Sequence, residues 1–552
     1  MTFDARRYPA APSVHLPDRT WPDRRLERAP LWCSVDLRDG NQALAEPMGR
    51  ERKLRFFETL VRIGFKEIEV GFPAASQTEF DFVRALIDER RIPDDVTIQV
   101  LTQAREHLIR RTFEALRGVR RAIVHVYNST STLQRRVVFG LDQAGIQDIA
   151  VRAVRQARQE AERLGGSDIV LEYSPESFSG TELEFAAQVC DAVAEQWQPT
   201  PARKMIVNLP ATVEMSMPNV YADQIEWMHR HLRHREAMLI SVHTHNDRGC
   251  AIAAAELALL AGAERVEGTL FGNGERTGNV DVVAVALNMY TAGIDPGLDF
   301  SNLPGLVEVF ETCNQLPVPP RHPYAGELVF TAFSGSHQDA IRKGLAALQA
   351  TGGKTWEVPY LPIDPADVGR QYEPLIRINS QSGKGGVAYI LEQHQGYRVP
   401  KGMAVAFANV VQRMTDQTGK ELSATAVGEI FQAEFLGPAR YGLRDFTVSH
   451  PDAASCVVEA TVMDGAHPIR VRGQGTGPID GFVQGLAGAL GVDVKLVDYS
   501  EHALSDGADA EAVAYVGLRG REQVDYAAGR DRDIVRASFM AALRAVERSS
   551  QS

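Results

Sequence analysis

Short apolar runs recur between residues 31 and 274: "LWCSVDLRD" (31–39), "KEIEVGFP" (66–73), "TIQVLTQ" (97–103), "RAIVHVYNS" (121–129), "DIVLEYSPE" (168–176), "KMIVNLPAT" (204–212), "LISVHTHND" (239–247) and "RVEGTLFGNG" (265–274). Their length and β-branched content are those of strands. The segments between them are long enough for helices, and "ERKLRFFETLVRIG" and "TELEFAAQVCDAVAEQW" space their apolar residues at the helical period. Eight strand–helix alternations, with strands apolar on both faces, predict an α/β fold whose parallel sheet closes as a (β/α)8 TIM barrel. An open, doubly wound sheet is the competing architecture. The count of eight and the lack of an early GxGxxG favour the barrel.

After residue 326 the eightfold pattern stops. "SGSHQDAIRKGLAAL" reads as a helix, and "TGGKTWEVPYLPIDPADVGRQYEP" as a Pro/Gly-rich connector. "SGKGGVAYILEQHQG", "KGMAVAFANVVQRMTDQ" and "SATAVGEIFQAEF" read as further helices. From about residue 440 the texture becomes alternating, and the pattern predicts two repeated strand–strand–helix units, with helices from "GQGTGPIDGF" and "AAGRDRDIVRAS". A helix start with free amides beside a glycine can receive a carboxylate. The chain therefore divides into a barrel with an N-terminal extension (1–326), a mostly helical linker region (327–437) and a C-terminal α+β regulatory domain (438–552).

The polar ends of the barrel runs carry the candidate chemistry. They supply Arg38 and Asp39, His125, Glu176, Thr212, His243 and His245, and Asn273 and Asn279. In a barrel these ends converge on the face where catalysis occurs. His243 and His245 sit at i and i+2, so in a strand both face one side and can share a cation. Asp39, His243 and His245, with Asn279 as a further candidate, make a mixed nitrogen and oxygen set suited to Mg²⁺, Mn²⁺ or Zn²⁺. Arg38 beside them would stabilise a developing enolate or alkoxide. Asn246 and Asp247 are expected to cap the following helix. A metal-dependent hydrolase is the first rival, but such barrels carry HxH on the first strand and often a lysine on the fourth. Here HxH is on the seventh, and the fourth ends "HVYNST".

Composition narrows the class. At 552 residues with 44% hydrophobic and 24% charged residues, the chain is a multidomain globular protein. A net charge of −12 argues against nucleic acid and anionic membrane as partners. Cys33, Cys190, Cys250, Cys313 and Cys456 are scattered with no CxxC, as reduced thiols in a cytoplasmic protein would be. No secretory signal is visible, and "AIAAAELALLAGA" is too short to span a bilayer and contains Glu256. "SQSGKGG" (380–386) lacks the spacing of a nucleotide-binding P-loop.

"DLRDGNQAL", "HTHNDRG" and "GNGERTGN", in that order, resemble the Claisen-condensing, metal-dependent TIM-barrel family. It holds isopropylmalate, homocitrate and citramalate synthases, with hydroxymethylglutaryl-CoA lyase as a relative. "NSTSTLQRRVVF", "EYSPESFSGTE", "VPYLPIDPADVGR" and "NSQSGKGGVAY" are similar to the longer isopropylmalate branch, and the likeness runs from about residue 30 to the end. It implies that acetyl-CoA loses a methyl proton, that the enolate attacks 3-methyl-2-oxobutanoate, and that thioester hydrolysis releases the product. It also implies Asp39, His243 and His245 as metal ligands with Asn279 completing or adjoining them, Arg38 as the charge stabiliser, and Thr212 on the oxoacid carboxylate. Glu176, His337 and Tyr360 become the candidates for the base relay. The last two come from a linker that in the family reaches the partner subunit's site, so a homodimer is expected. Leu101, His125, Tyr127 and Ser174 form a mostly neutral set that could pack a branched alkyl group. That favours isopropylmalate over homocitrate synthase and leaves citramalate synthase open. Gly272 and Gly274 are candidates for a CoA contact, and the C-terminal domain for binding leucine as feedback inhibitor. A non-catalytic, metal-stabilised amino-acid sensor and a lyase are the remaining alternatives.

Overall fold

A computed structural model of the chain describes residues 3–8, 13–332, 334–372, 384–418, 422–452, 455–505, 507, 510–520 and 523–551. They divide into two compact units, Met1–Phe330 with Ile363–Gln371, and Thr331–Pro362 with Tyr372–Ser552. Within the described residues no helix is long and apolar enough to cross a membrane.

All eight apolar runs form strands: β1 (Leu31–Ser34), β2 (Glu67–Gly71), β3 (Thr97–Gln103), β4 (Arg121–Ser129), β5 (Asp168–Glu176), β6 (Met205–Ala211), β7 (Met238–Thr244) and β8 (Arg265–Gly268). They pair in chain order, all parallel, and β8 closes on β1 with Trp32 opposite Val266. The helices between them are those the periodicity predicts. Arg50–Ile63 ends where Gly64 turns left-handed (φ 117°) and returns its N–H to the carbonyls of Leu60 and Val61.

The strands are not apolar on both faces. The outward residues are, as with Ile68, Val70, Ile98, Val100, Leu171, Val207, Ile240 and Val266, each with no exposure. The alternate residues that meet inside the barrel are polar: Glu69, Gln99, His125, Glu172, Asn208, Ser241, His243, Arg265 and Glu267, all buried. Single polar residues between pairs of Val, Ile or Leu give a run that reads as apolar while one face of the strand is charged. Arg265, fully buried, gathers this interior: its guanidinium donates to Glu67 Oε2 (2.6 Å), Ser241 Oγ (2.9 Å), Glu267 Oε1 (2.8 Å) and Gln99 Oε1 (2.7 Å).

The second unit holds the helices Gly335–Ala350, Lys384–Gln395, Lys401–Thr418 and Ala424–Phe435, as expected. "SQSGKGG" lies mostly outside the described residues. The C-terminal repeat differs from its expected form, because each unit has three strands. β9 (Tyr441–Asp452), β10 (Ser455–Asp464) and β11 (His467–Gly475) precede the helix Pro478–Leu490. β12 (Lys495–Ala503), β13 (Ala512–Arg519) and β14 (Val524–Asp531) precede Ile534–Gln551. The extra strand β9 has no fully buried residue; its Tyr441, Leu443, Phe446 and Val448 pack half-buried against the core, to either side of an irregularity between Leu443 and Asp445. The two units share one core in which the rings of Phe482 and Phe539 stack at 4.1 Å. The first helix lies so close to β11 that a Cβ on Gly473 would stand 2.1 Å from the Gly481 carbonyl.

Replacing Arg265 by leucine leaves several buried carboxylates without their cation, so the unfolding free energy in urea is expected to fall by about 3–5 kcal/mol. Arg440→Ala, which breaks an exposed pair with Asp464, should cost under about 1 kcal/mol. Equal losses in the two variants would show that the barrel interior does not depend on Arg265.

Candidate metal centre and its pocket

β1 stops at Ser34, and the chain then makes one wide helical turn over Asp36–Gly40. The carbonyl of Val35 accepts the N–H groups of Arg38, Asp39 and Gly40 at 3.2, 2.9 and 3.1 Å. Asp36 accepts from Ser34 Oγ and from the backbone N–H of Leu270, tying the turn to the loop after β8. Arg38 and Asp39 are thus aimed inward by a turn rather than by the strand.

Asp39 Oδ2 lies 3.2 Å from His243 Nε2 and 3.7 Å from His245 Nε2, and the two imidazole centroids are 5.2 Å apart. One donor atom from each residue falls within 4.8 Å of the others, and all three residues are buried. A backbone bridge sets Asn279 beside His245, and its amide oxygen is buried with no hydrogen-bond partner. A carboxylate, two imidazoles and an unpartnered amide oxygen fit a divalent cation with positions left for substrate.

The three donors are shifted in different directions by their surroundings. Burial works against a charged His243, yet its hydrogen bonds to Asp39 and Glu267 prevail and raise its pKa to about 9. Burial, and then the charge of His243, lower His245 to about 4. Burial would raise Asp39, but Arg38 and His243 hold it well below the ordinary carboxylate range. Arg38 is fixed on both sides, by Glu69 Oε2 at 2.5 Å and Asp39 Oδ1 at 2.9 Å.

A second group, His125, Glu172 and Glu267, also brings its donor atoms within 4.8 Å. Its positive charge is already present: Arg265 stands 3.3 Å from Glu172 Oε2 and 2.8 Å from Glu267 Oε1. Burial and then the neighbouring Glu267 push the Glu172 carboxyl well above its usual range. Despite its own burial, Glu267 is held well below that range by Arg265 and His243.

The cavity above these groups has a volume of about 260 Å³. It is lined by Arg38, Asp39, His243 and His245 together with Leu101, His125, Tyr127, Ser174, Glu176 and Thr212, so most of the candidates from sequence meet in one place. His125 is held between Glu69 Oε1 at its Nδ1 (3.0 Å) and Ser174 Oγ at its Nε2 (2.7 Å). Thr212 Oγ1 accepts the N–H of Ser177 (2.9 Å), Tyr127 OH accepts from Gln103 (2.9 Å), and Glu176 accepts the hydroxyl of Ser129.

One expectation, the cap at Asp247, resolves differently. Asn246 does accept the N–H of Ala251, at the start of the next helix, but Asp247 instead pairs with Arg276 and accepts from Glu214 N. Gly272 and Gly274 have φ of 73° and 151°, and a Cβ on Gly274 would lie 2.2 Å from Asn279 Nδ2. Those glycines are required by the loop that sets Asn279. His337 and Tyr360 belong to the second unit, where they stack on each other at 4.0 Å with both rings exposed. Gln42, Asn208, Pro210, Glu275 and Arg276 also line the cavity and were not foreseen. Their sequence signals were the motifs themselves: Gln42 stands in "DLRDGNQAL", Glu275 and Arg276 in "GNGERTGN", and Asn208 is a lone amide inside "KMIVNLPAT".

Comparison with known proteins covers nearly all of the chain. Residues 29–309 match the family described as HMGL-like. Residues 327–392 match the α-isopropylmalate synthase post-catalytic domain, and residues 420–550 the LeuA allosteric (dimerisation) domain. The 2-isopropylmalate synthase of Rhodospirillum rubrum (strain ATCC 11170) is 56% identical over 556 residues, covering 100% of both chains. That of Parafrankia sp. (strain EAN1pec) is 56% identical over 552 residues, covering 99% of this chain and 97% of its own.

A divalent cation held at this centre would stabilise the folded chain by mass action. At one hundred times its Kd the ion should add about 2.7 kcal/mol, read as a rise in melting temperature over chelator-treated protein. His245→Ala should melt like the parent in chelator and lose that rise. A rise of the parent's size in the variant would place the ion elsewhere.

Proposed function

The chain belongs to the 2-isopropylmalate synthase family, and on that premise we propose how its barrel pocket performs the family's reaction. Acetyl-CoA condenses with 3-methyl-2-oxobutanoate, and hydrolysis of the thioester yields 2-isopropylmalate and CoA, the committed step of leucine synthesis. The observation that carries the assignment is three buried donors able to hold a metal, flanked by a fixed arginine, in a pocket also lined by Leu101, Tyr127 and Ser174.

A Mg²⁺, Mn²⁺ or Zn²⁺ ion bound by Asp39, His243 and His245, with Asn279 adjoining, supplies Lewis acidity to the 2-oxoacid carbonyl. Thr212 uses its lone pair on Ser177 N, so its proton is free for the oxoacid carboxylate. Leu101, His125, Tyr127 and Ser174 surround the isopropyl group. Arg38, unable to lose its proton and locked by Glu69 and Asp39, faces the charge that develops on oxygen. Glu176 stands in the pocket to receive the methyl proton, oriented by the Ser129 hydroxyl. His337 and Tyr360 complete the relay from a second copy of the chain. Their exposed, preformed stack and the match to a dimerisation domain support that reading. Backbone groups of the 272–279 loop contact CoA, and leucine acts through the C-terminal domain. Five free cysteines and these substrates suit the cytoplasm.

Thiol release from acetyl-CoA, followed with a thiol-reactive dye in Mg²⁺ or Mn²⁺, should be fast with 3-methyl-2-oxobutanoate and slow with pyruvate or 2-oxoglutarate, and leucine should suppress it. Preference for pyruvate would make the enzyme a citramalate synthase, and 2-oxoglutarate a homocitrate synthase. No release with any acid would leave the sensor or the lyase. Arg38→Gln should lower kcat by about 10²–10³-fold with little change in oxoacid KM; an unchanged kcat would remove Arg38 from the chemistry.

A further inference from the structure

We infer that Glu267 on β8 is a positioning residue for the metal centre, acting through His243. The inference deepens the metal-dependent reading above and rests on it. An imidazole offers either nitrogen to a cation, and which one it offers is set by the bond the other makes. His243 Nδ1 lies 2.9 Å from Glu267 Oε2, while Nε2 faces Asp39 Oδ2 at 3.2 Å. Turning the ring over would break both contacts.

Glu267 is itself immobilised. Besides His243, its Oε2 accepts from Asn208 Nδ2 (3.1 Å), and its Oε1 accepts from Gln99 Nε2 (2.9 Å) and Arg265 NH1 (2.8 Å). The four donors come from β3, β6, β7 and β8, and the carboxylate has no exposure. Gln99 Nε2 also reaches Glu69 Oε1 (3.2 Å), and Glu69 fixes Arg38. One buried amide therefore links the support of the histidine to the support of the arginine. His245 has no such brace, for its Nδ1 is buried without a partner. A core ion pair would account for Arg265 against Glu267, but it does not require His243 to be the fourth donor.

The test is Mn²⁺ affinity of the full-length chain, measured by chelator competition, with the visible absorption of bound Co²⁺ as second readout. Glu267→Gln keeps the shape and removes the charge; Glu267→Asp keeps the charge opposite Arg265 and draws it back by one methylene. Both should weaken Mn²⁺ binding about 10–100-fold and alter the Co²⁺ spectrum. A purely structural role would lower the melting temperature of chelator-treated protein and leave the affinity of the folded variants at the parent value, which would overturn the inference. No Mn²⁺ binding by the parent would instead overturn the metal reading itself. Should neither variant fold, crystals of the Mn²⁺-loaded parent decide: Nε2 of His243 on the ion supports the inference, and Nδ1 on the ion refutes it.

Discussion

The structure turns on the burial of Arg265 among Glu67, Glu172 and Glu267 inside the barrel. A charge with no exposure is tolerable only when its counter-charges and hydrogen bonds are nearly complete. Arg265 has four donor contacts within 3 Å, and Glu267 accepts four. All of those bonds except Arg265 to Glu267, which lies within β8, cross from one strand to another, so the barrel interior is a hydrogen-bonded frame rather than layers of alkyl groups. The apolar burial that stabilises the sheet comes from its outer face and the helices upon it. This division lets the upper end of the same frame hold His125, His243 and Arg38 at fixed angles without any mobile loop in their support.

Two departures from regular strand structure finish the site. The wide turn at Asp36–Gly40 feeds three N–H groups to one carbonyl and swings Arg38 and Asp39 over the barrel mouth. The loop 272–279 folds back through left-handed backbone at Gly272, Gly274, Arg276 and Gly278, leaving no room for a Cβ at Gly274 or Gly278. Its return places Asn279 beside His245. The backbone cost of these segments is met by the frame beneath them, and Asp36 couples the two by accepting the Leu270 N–H.

Much of this was legible in the sequence. The eight runs, their parallel closure and the convergence of Asp39, His243 and His245 follow from period-2 and period-3.6 patterning and the HxH spacing. Glu69, Gln99, Glu172, Asn208 and Glu267 did not stand out as a set. Each is one polar residue in an apolar run, and only closure of the barrel shows that all five point to the same interior. Arg38 and Asp39 were found, but as the end of a strand; a turn built on a single carbonyl leaves no periodic trace. β9 was missed because the alternation of its half-buried Tyr441, Leu443, Phe446 and Val448 is broken by an irregularity between Leu443 and Asp445.

The C-terminal repeat shows how alike two halves can be in sequence while differing in chemistry. Both helices follow a glycine-bearing strand, and both starts seemed to offer free amides. Around Pro478–Leu490 the cap is Gly477, which gives no side-chain acceptor, and Asp480 takes the Thr476 N–H instead. At Ile534–Gln551 the carboxylate of Asp533 accepts from Val535 and Arg536 and so occupies the helix start itself. Each helix start thus carries a carboxylate, Asp480 within the first turn of one and Asp533 just before the other. The stacked Phe482 and Phe539 bind the two halves into one core. Regulation through such a domain requires two states with different affinity for the amino acid.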